Sequence, residues 1–137
     1  MSENLGEIVK GIYAAFGRGD LLFILEHIAS DATWGIDSVA AKEVPWYGIL
    51  TGKTNIPKFF SALGENADFT IFEPHDFVVA GDQVFNHLRY EATIRQSGRR
   101  LVGFSLQHWT FRGGRVVRWR GYEDTAATRG ATVTGTV

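Results

Sequence analysis

The chain contains no cysteine, which removes disulfides, thiolate metal sites and cysteine nucleophiles at once. It also lacks any run approaching the roughly 18 consecutive apolar residues of a membrane span. The amino end, MSENLGEIVK, places acid before base and holds no apolar stretch of signal-peptide kind, so cytosol is the expected compartment. Net charge is nearly absent too, at −1 from 14 basic and 15 acidic residues. Nothing global draws the protein toward nucleic acid or a lipid surface. Arg95, Arg99, Arg100, Arg112, Arg115, Arg118 and Arg120 gather late in the chain, and they fit solvated hairpin ends and strand faces.

Aromatic residues, by contrast, are plentiful: 10 Phe, 4 Tyr and 4 Trp among 137 residues. Each large ring can bury roughly 150–250 Å², so a chain of ordinary domain length can build a core without staples. One domain over residues 1–124 is expected, with residues 125–137, small and polar, as a loosely ordered tail.

The order of elements follows from periodicity. Leu5, Ile8, Val9, Ile12, Tyr13 and Phe16 form one stripe of an amphipathic helix. Gly17 and Gly19 break it, and Asp20 is placed to cap a second helix carrying Leu21 to Ile28, stopped by Ser30-Asp31. Ala32 to Ile36 reads as a short strand, and 37–51 as a long loop. A third helix is expected after Gly52, with Thr54 or Asn55 as its cap and Pro57 in its first turn. After Gly64 the period changes from about 3.6 to 2. Four strands are predicted: Phe69–Val79, Gln83–Gln96, Leu101–Arg112 and Arg115–Tyr122, separated by Gly81-Asp82, Ser97-Gly98 and Gly113-Gly114. Three helices followed by hairpins mean an α+β fold, a cone-shaped barrel in which a mostly antiparallel sheet curls over the helices around a pocket.

Alternation then sorts side chains by face. Asn86, Leu88, Tyr90, Ala92 and Ile94 should face the helices, leaving Arg89 and Glu91 outside. Ser105, Gln107, Trp109 and Phe111 should face inward, while Val102, Phe104, Leu106 and His108 leave the outer face apolar as well. No helix remains to cover that face, so a homodimer through it is expected. His27, His75, His87 and His108 are far apart in sequence, and no metal site or cofactor is expected from them. Gly48 to Thr54 imitates a phosphate loop but has three residues between its glycines where four are needed.

The residues Ile12-Tyr13-Ala14-Ala15-Phe16, Gly19-Asp20-Leu21, Asp31-Ala32-Thr33-Trp34, Val44-Pro45-Trp46-Tyr47-Gly48, His108-Trp109-Thr110-Phe111 and Arg120-Gly121-Tyr122-Glu123-Asp124-Thr125 occur in that order. With them the chain resembles the SnoaL-like branch of the nuclear transport factor 2-like superfamily, home of ketosteroid isomerase-related proteins. The resemblance implies a pocket protein but no single chemistry, since this fold carries isomerases, cyclases, hydrolases and binders. The isomerase pattern of a helix tyrosine, a base and an oxyanion acid falls here on Ile12 (beside Tyr13), Ile36 (beside Asp37) and Gln107. All three positions have changed. The limonene epoxide hydrolase pattern is imitated by Arg89-Tyr90-Glu91, but Arg89 and Glu91 point outward while Tyr90 takes the inward slot.

The remaining candidates are Asp37 as proton acceptor at the pocket mouth, with Tyr13, Gln107 or Trp109 as hydrogen-bond donors. Trp34, Trp46, Phe60, Asn86, Tyr90, Trp109 and Trp119 would line a site for a small hydrophobic ligand. Glu123 shares the inward parity of Trp119 and Gly121 but fits a rim charge. An isomerase, dehydratase, cyclase or hydrolase acting through a pocket carboxylate, a non-catalytic binder, and a dimeric interaction module all remain open.

Overall fold

A computed structural model describes residues 4–133. Helix α1, Leu5–Gly17, starts where the Asn4 side chain accepts from the Glu7 amide, and buries Val9, Ile12 and Ala15. Asp20 caps α2, Leu21–Glu26, accepting from the Phe23 amide. The second helix is shorter than its apolar run suggests. Ile28, Ser30 and Asp31 belong to β1, Ile28–Ile36, because Ile28 pairs with Val116 of the last strand. The alternation of Ala32, Trp34 and Ile36 does not reach back that far, since the ladder shifts register between Ile28 and Thr33 and Ser30 is exposed.

The expected loop over 37–51 contains a strand, β2 (Gly48–Thr51), laid antiparallel on β1. Helix α3, Pro57–Asn66, follows. Neither expected residue caps it by side chain: Asn55 donates its Nδ2 to the Thr51 carbonyl, and the amides of Asn55 and Ile56 turn back to the Gly52 carbonyl. Four long strands complete the sheet: β3 Ala67–Ala80, β4 Gln83–Ile94, β5 Arg100–Arg112 and β6 Arg115–Glu123. Their order is β2-β1-β6-β5-β4-β3, antiparallel except for β1 beside β6. This is the α+β architecture that the sequence implies, helices packed on one face of a curved sheet.

Burial on β4, β5 and β6 alternates as predicted. Asn86, Leu88, Tyr90, Ala92 and Ile94 are buried, as are Ser105, Gln107, Trp109, Phe111, Trp119 and Gly121. Arg89 and Glu91 lie on the outer face, where their side chains pair at 3.0 Å.

The expected loose tail is corrected by a fourth helix, α4, over Thr125–Thr132. Asp124 caps it, and its small buried residues Thr128, Ala131 and Thr132 allow close packing. Ser97 Oγ donates to the Ala131 carbonyl at 2.6 Å, and Arg99 Nη1 to the Gly130 carbonyl at 2.7 Å. Residues 134–137 of that expectation lie outside the described residues. No helix among the described residues is long and apolar enough to cross a membrane.

The β1–β2 register depends on Gly35. A Cβ built there would sit 2.0 Å from the Gly48 carbonyl oxygen, a backbone atom that cannot step aside. Gly35→Ala is therefore expected to lower unfolding free energy by about 1–3 kcal/mol in urea titrations. Gly64→Ala, in α3 where a Cβ meets nothing within 4 Å, should raise it by about 0.5–1 kcal/mol. Equal stability of Gly35→Ala and the parent would contradict this pairing.

Candidate active site: an aromatic cavity with one carboxyl

Between α1, α3 and the inner face of the sheet lies a cavity of about 80 Å³. Its floor is built from tryptophans on three neighbouring strands. Trp34 of β1 stacks on Trp119 of β6 with ring centroids 4.7 Å apart, and meets Trp109 of β5 edge-on at 5.6 Å. Phe59 and Phe60 of α3 close over Trp34 from the helix side. Two glycines make room: a Cβ on Gly103 would strike the Tyr90 phenol, and one on Gly121 would press on the Trp119 ring.

Rings with polar edges need partners once buried. Trp109 Nε1 donates to Asn86 Oδ1 at 2.9 Å, and Asn86 Nδ2 donates to the Tyr13 hydroxyl at 3.0 Å. Trp119 Nε1 donates to Gln107 Oε1 at 2.9 Å, and Gln107 Nε2 to Ser105 Oγ at 2.7 Å. Trp34 is the exception. It is 2% exposed, and its Nε1–H is the one buried side-chain polar atom among the described residues without a hydrogen-bond partner.

One carboxyl lines the cavity, that of Glu123 at the end of β6. It accepts from the Tyr47 hydroxyl at 2.6 Å and from Thr128 Oγ1 at 2.8 Å. Burial pushes its pKa up, and the two hydrogen bonds oppose that shift without cancelling it. Burial also pushes up the phenols of Tyr47 and Tyr90, and the nearby Glu123 adds to both shifts. Tyr13 moves the same way through burial. All three tyrosines therefore keep their protons at neutral pH.

Of the candidates named from sequence, Tyr13, Trp34, Trp46, Phe60, Tyr90, Gln107, Trp109 and Trp119 line the cavity. Asn86 does not: it is buried behind the wall, fixing Trp109 and Tyr13. Asp37 is not part of the cavity either. Ile36 takes the inward place at the end of β1, and the next residue turns to solvent. Glu123, expected at the rim, is half-buried and supplies the carboxyl. Its parity with Trp119 and Gly121 was the available signal. Thr128 gave none, lying in a segment without a clear apolar stripe. Sequence distance also misleads for two histidines, since β3–β4 pairing sets His75 directly opposite His87.

The sequence profile of the SnoaL-like domain matches residues 9–119. The chain belongs to the SnoaL-like family. Among curated proteins none matches it. Solved structures similar to this SnoaL-like chain include a nuclear transport factor 2-like protein of Burkholderia xenovorans, 28% identical, covering 97% of this chain and 99% of that one at TM-score 0.86. Another, from Burkholderia pseudomallei, is a nuclear transport factor 2-like protein of unknown function, 22% identical over 96% and 99% at TM-score 0.86. TerC, co-crystallised with polyporic acid, is 24% identical over 92% and 95% at TM-score 0.79.

The raised pKa of Glu123 has a signed consequence. Below its ordinary value of 4.5 the group is protonated in both folded and unfolded chains. As pH rises, the unfolded chain releases that proton first, so the fold loses the stability that protonated Glu123 contributes. Asp31, Asp68 and Asp76, held low by Arg112, Arg95 and the His75–His87 pair respectively, act oppositely and at lower pH. Comparison with Glu123→Gln isolates the first effect. The urea-midpoint difference, parent minus variant, should fall as pH rises above about 4.5; a flat difference would mean an unshifted carboxyl.

Proposed function

We propose that this SnoaL-like protein takes a small, mostly apolar molecule with one hydrogen-bond acceptor into the aromatic cavity, and that Glu123 gives a proton to it or removes one. The observation that carries the reading is the unpartnered Nε1–H of Trp34, buried in the cavity wall. A buried donor without a partner costs about 1–3 kcal/mol, and a ligand oxygen would recover that loss. Trp34 would hold the acceptor, and Gln107 and Tyr13, already engaged with Ser105 and Asn86, would fix the walls. Glu123, desolvated and hydrogen-bonded by Tyr47 and Thr128, has the environment of a general acid or base. Asp37, the first candidate for that role, yields it because it stands in solvent.

Size limits the ligand. About 80 Å³ is roughly half of the 150 Å³ apolar cavity known to accept benzene. A single ring with one oxygen would need more room than this, and the half-buried rings of Phe60, Phe69 and Phe72 in the lining are the ones that would have to turn aside. TerC, of the same fold, was crystallised with polyporic acid, which agrees with small-molecule binding.

The test is a panel of small aromatic ketones and phenols, followed by tryptophan fluorescence and by deuterium uptake next to the carbonyl in D₂O. At least one ketone should bind, and Trp34→Phe should weaken it about 2- to 10-fold, the worth of one net hydrogen bond. Glu123→Gln should abolish deuterium uptake and leave affinity within about threefold. Binding without uptake in the parent would favour a non-catalytic carrier. Binding indifferent to Trp34→Phe would remove the proposed acceptor site.

We also propose that two copies associate through the outer face of the sheet. Val102, Phe104, Leu106 and Tyr122 are 60%, 62%, 39% and 50% exposed there, a row of large apolar groups on neighbouring strands. Glu73, Arg89, Glu91 and Arg100 flank it as linked ion pairs of both signs, suited to a two-fold contact in which each charge meets its opposite. Sedimentation should give about twice 15.2 kDa at micromolar concentration, and Phe104→Glu should give the monomer. A monomeric parent would end the proposal.

A further inference from the structure

The middle of the β3–β4 hairpin carries a second cluster, away from the cavity. His75 and His87 are cross-strand partners, and Asp76 lies between their rings. Adjacent strand residues normally point to opposite faces, so His75 and Asp76 should not meet. They do because the ladder shifts register between His75 and Val78, and Asp76 adopts φ 56°, a left-handed conformation found at no other non-glycine residue described. The bulge turns the Asp76 carboxylate back over its own neighbour. Asp76 Oδ2 then lies 2.8 Å from His75 Nδ1 and 3.3 Å from His87 Nδ1.

We infer that His75, Asp76 and His87 form a surface site for a divalent transition ion, zinc being the best match. Two imidazole nitrogens and one carboxylate oxygen are a donor set for such an ion and not for calcium or magnesium, which take oxygen ligands. The spacing is within reach. Ligands about 2.0–2.1 Å from a tetrahedral zinc stand roughly 3.3 Å from one another. The 3.3 Å from Asp76 to His87 matches this, and the 2.8 Å from Asp76 to His75 is a hydrogen-bond length that would open on metal binding. The ligand atoms of all three residues lie within 4.8 Å of one another. All three side chains reach solvent, so an ion could enter, and water would complete its coordination. The competing account is a plain hydrogen-bonded trio in which each histidine donates Nδ1–H to the same oxygen, with no affinity for metal.

Titrating ZnCl₂ calorimetrically into the untagged full chain separates the two. The metal site predicts saturation at one Zn²⁺ per chain. It also predicts an affinity loss of at least about tenfold in His87→Ala and in Asp76→Asn, and none in His27→Ala. Asparagine tolerates the left-handed backbone, and both positions are exposed, so circular dichroism should show folded variants. The inference is overturned by any other outcome. Those are the absence of one-to-one saturation, a loss below about tenfold in either cluster variant, or an equal loss in His27→Ala.

Discussion

Polar edges carried into a dry aromatic core must find partners, and this constraint organises the protein. Indole and phenol groups bring large apolar areas inward, but each brings a donor as well. Asn86 answers Trp109 and Tyr13, and Gln107 answers Trp119 while leaning on Ser105. These links run between β4, β5, β6 and α1, so they fix where Trp109, Trp119 and Tyr13 stand. The cavity is the space left when that arrangement is complete, and Trp34 Nε1–H is the donor in its wall that stays unanswered.

The same constraint explains the carboxyl. Glu123 could not sit at the edge of such a core without donors, and they come from two segments that otherwise have little in common. Tyr47 arrives from the loop before β2, and Thr128 from α4. The closing helix thereby reaches the cavity carboxyl through Thr128. Its attachment through Ser97 and Arg99 to the β4–β5 hairpin holds Thr128 where Glu123 needs it.

Much of this was legible in the residues. Period-two alternation on β4 to β6 sorted Tyr90, Gln107, Trp109 and Trp119 inward and Arg89 and Glu91 outward, because a half-buried strand permits only one register. What stayed hidden depended on contacts distant in sequence. β2 is four residues long and exists through its pairing with β1. α4 looked like a tail because its buried residues are threonine and alanine, which carry almost no hydrophobic signal. A strand end suggests a pocket mouth, which favours Asp37 over Glu123 on sequence alone. The decisive fact was that Ile36 already occupied the inward position. His75 and His87 illustrate the same limit, twelve positions apart in the chain yet directly opposed across β3 and β4.

Membership of the SnoaL-like family sets the scaffold and does not by itself fix the chemistry. The cavity of this chain holds one unpartnered donor, on Trp34, and one carboxyl, that of Glu123, and the proposed function rests on these two. The direct measurement is the side-chain carboxyl ¹³C shift of Glu123 followed by NMR through a pH titration of the whole protein. A midpoint above the ordinary 4.5 is predicted, as burial outweighs the donors from Tyr47 and Thr128. A midpoint at or below 4.5 would mean that the two donors outweigh burial, and would contradict the proposal that Glu123 is the acid of the cavity.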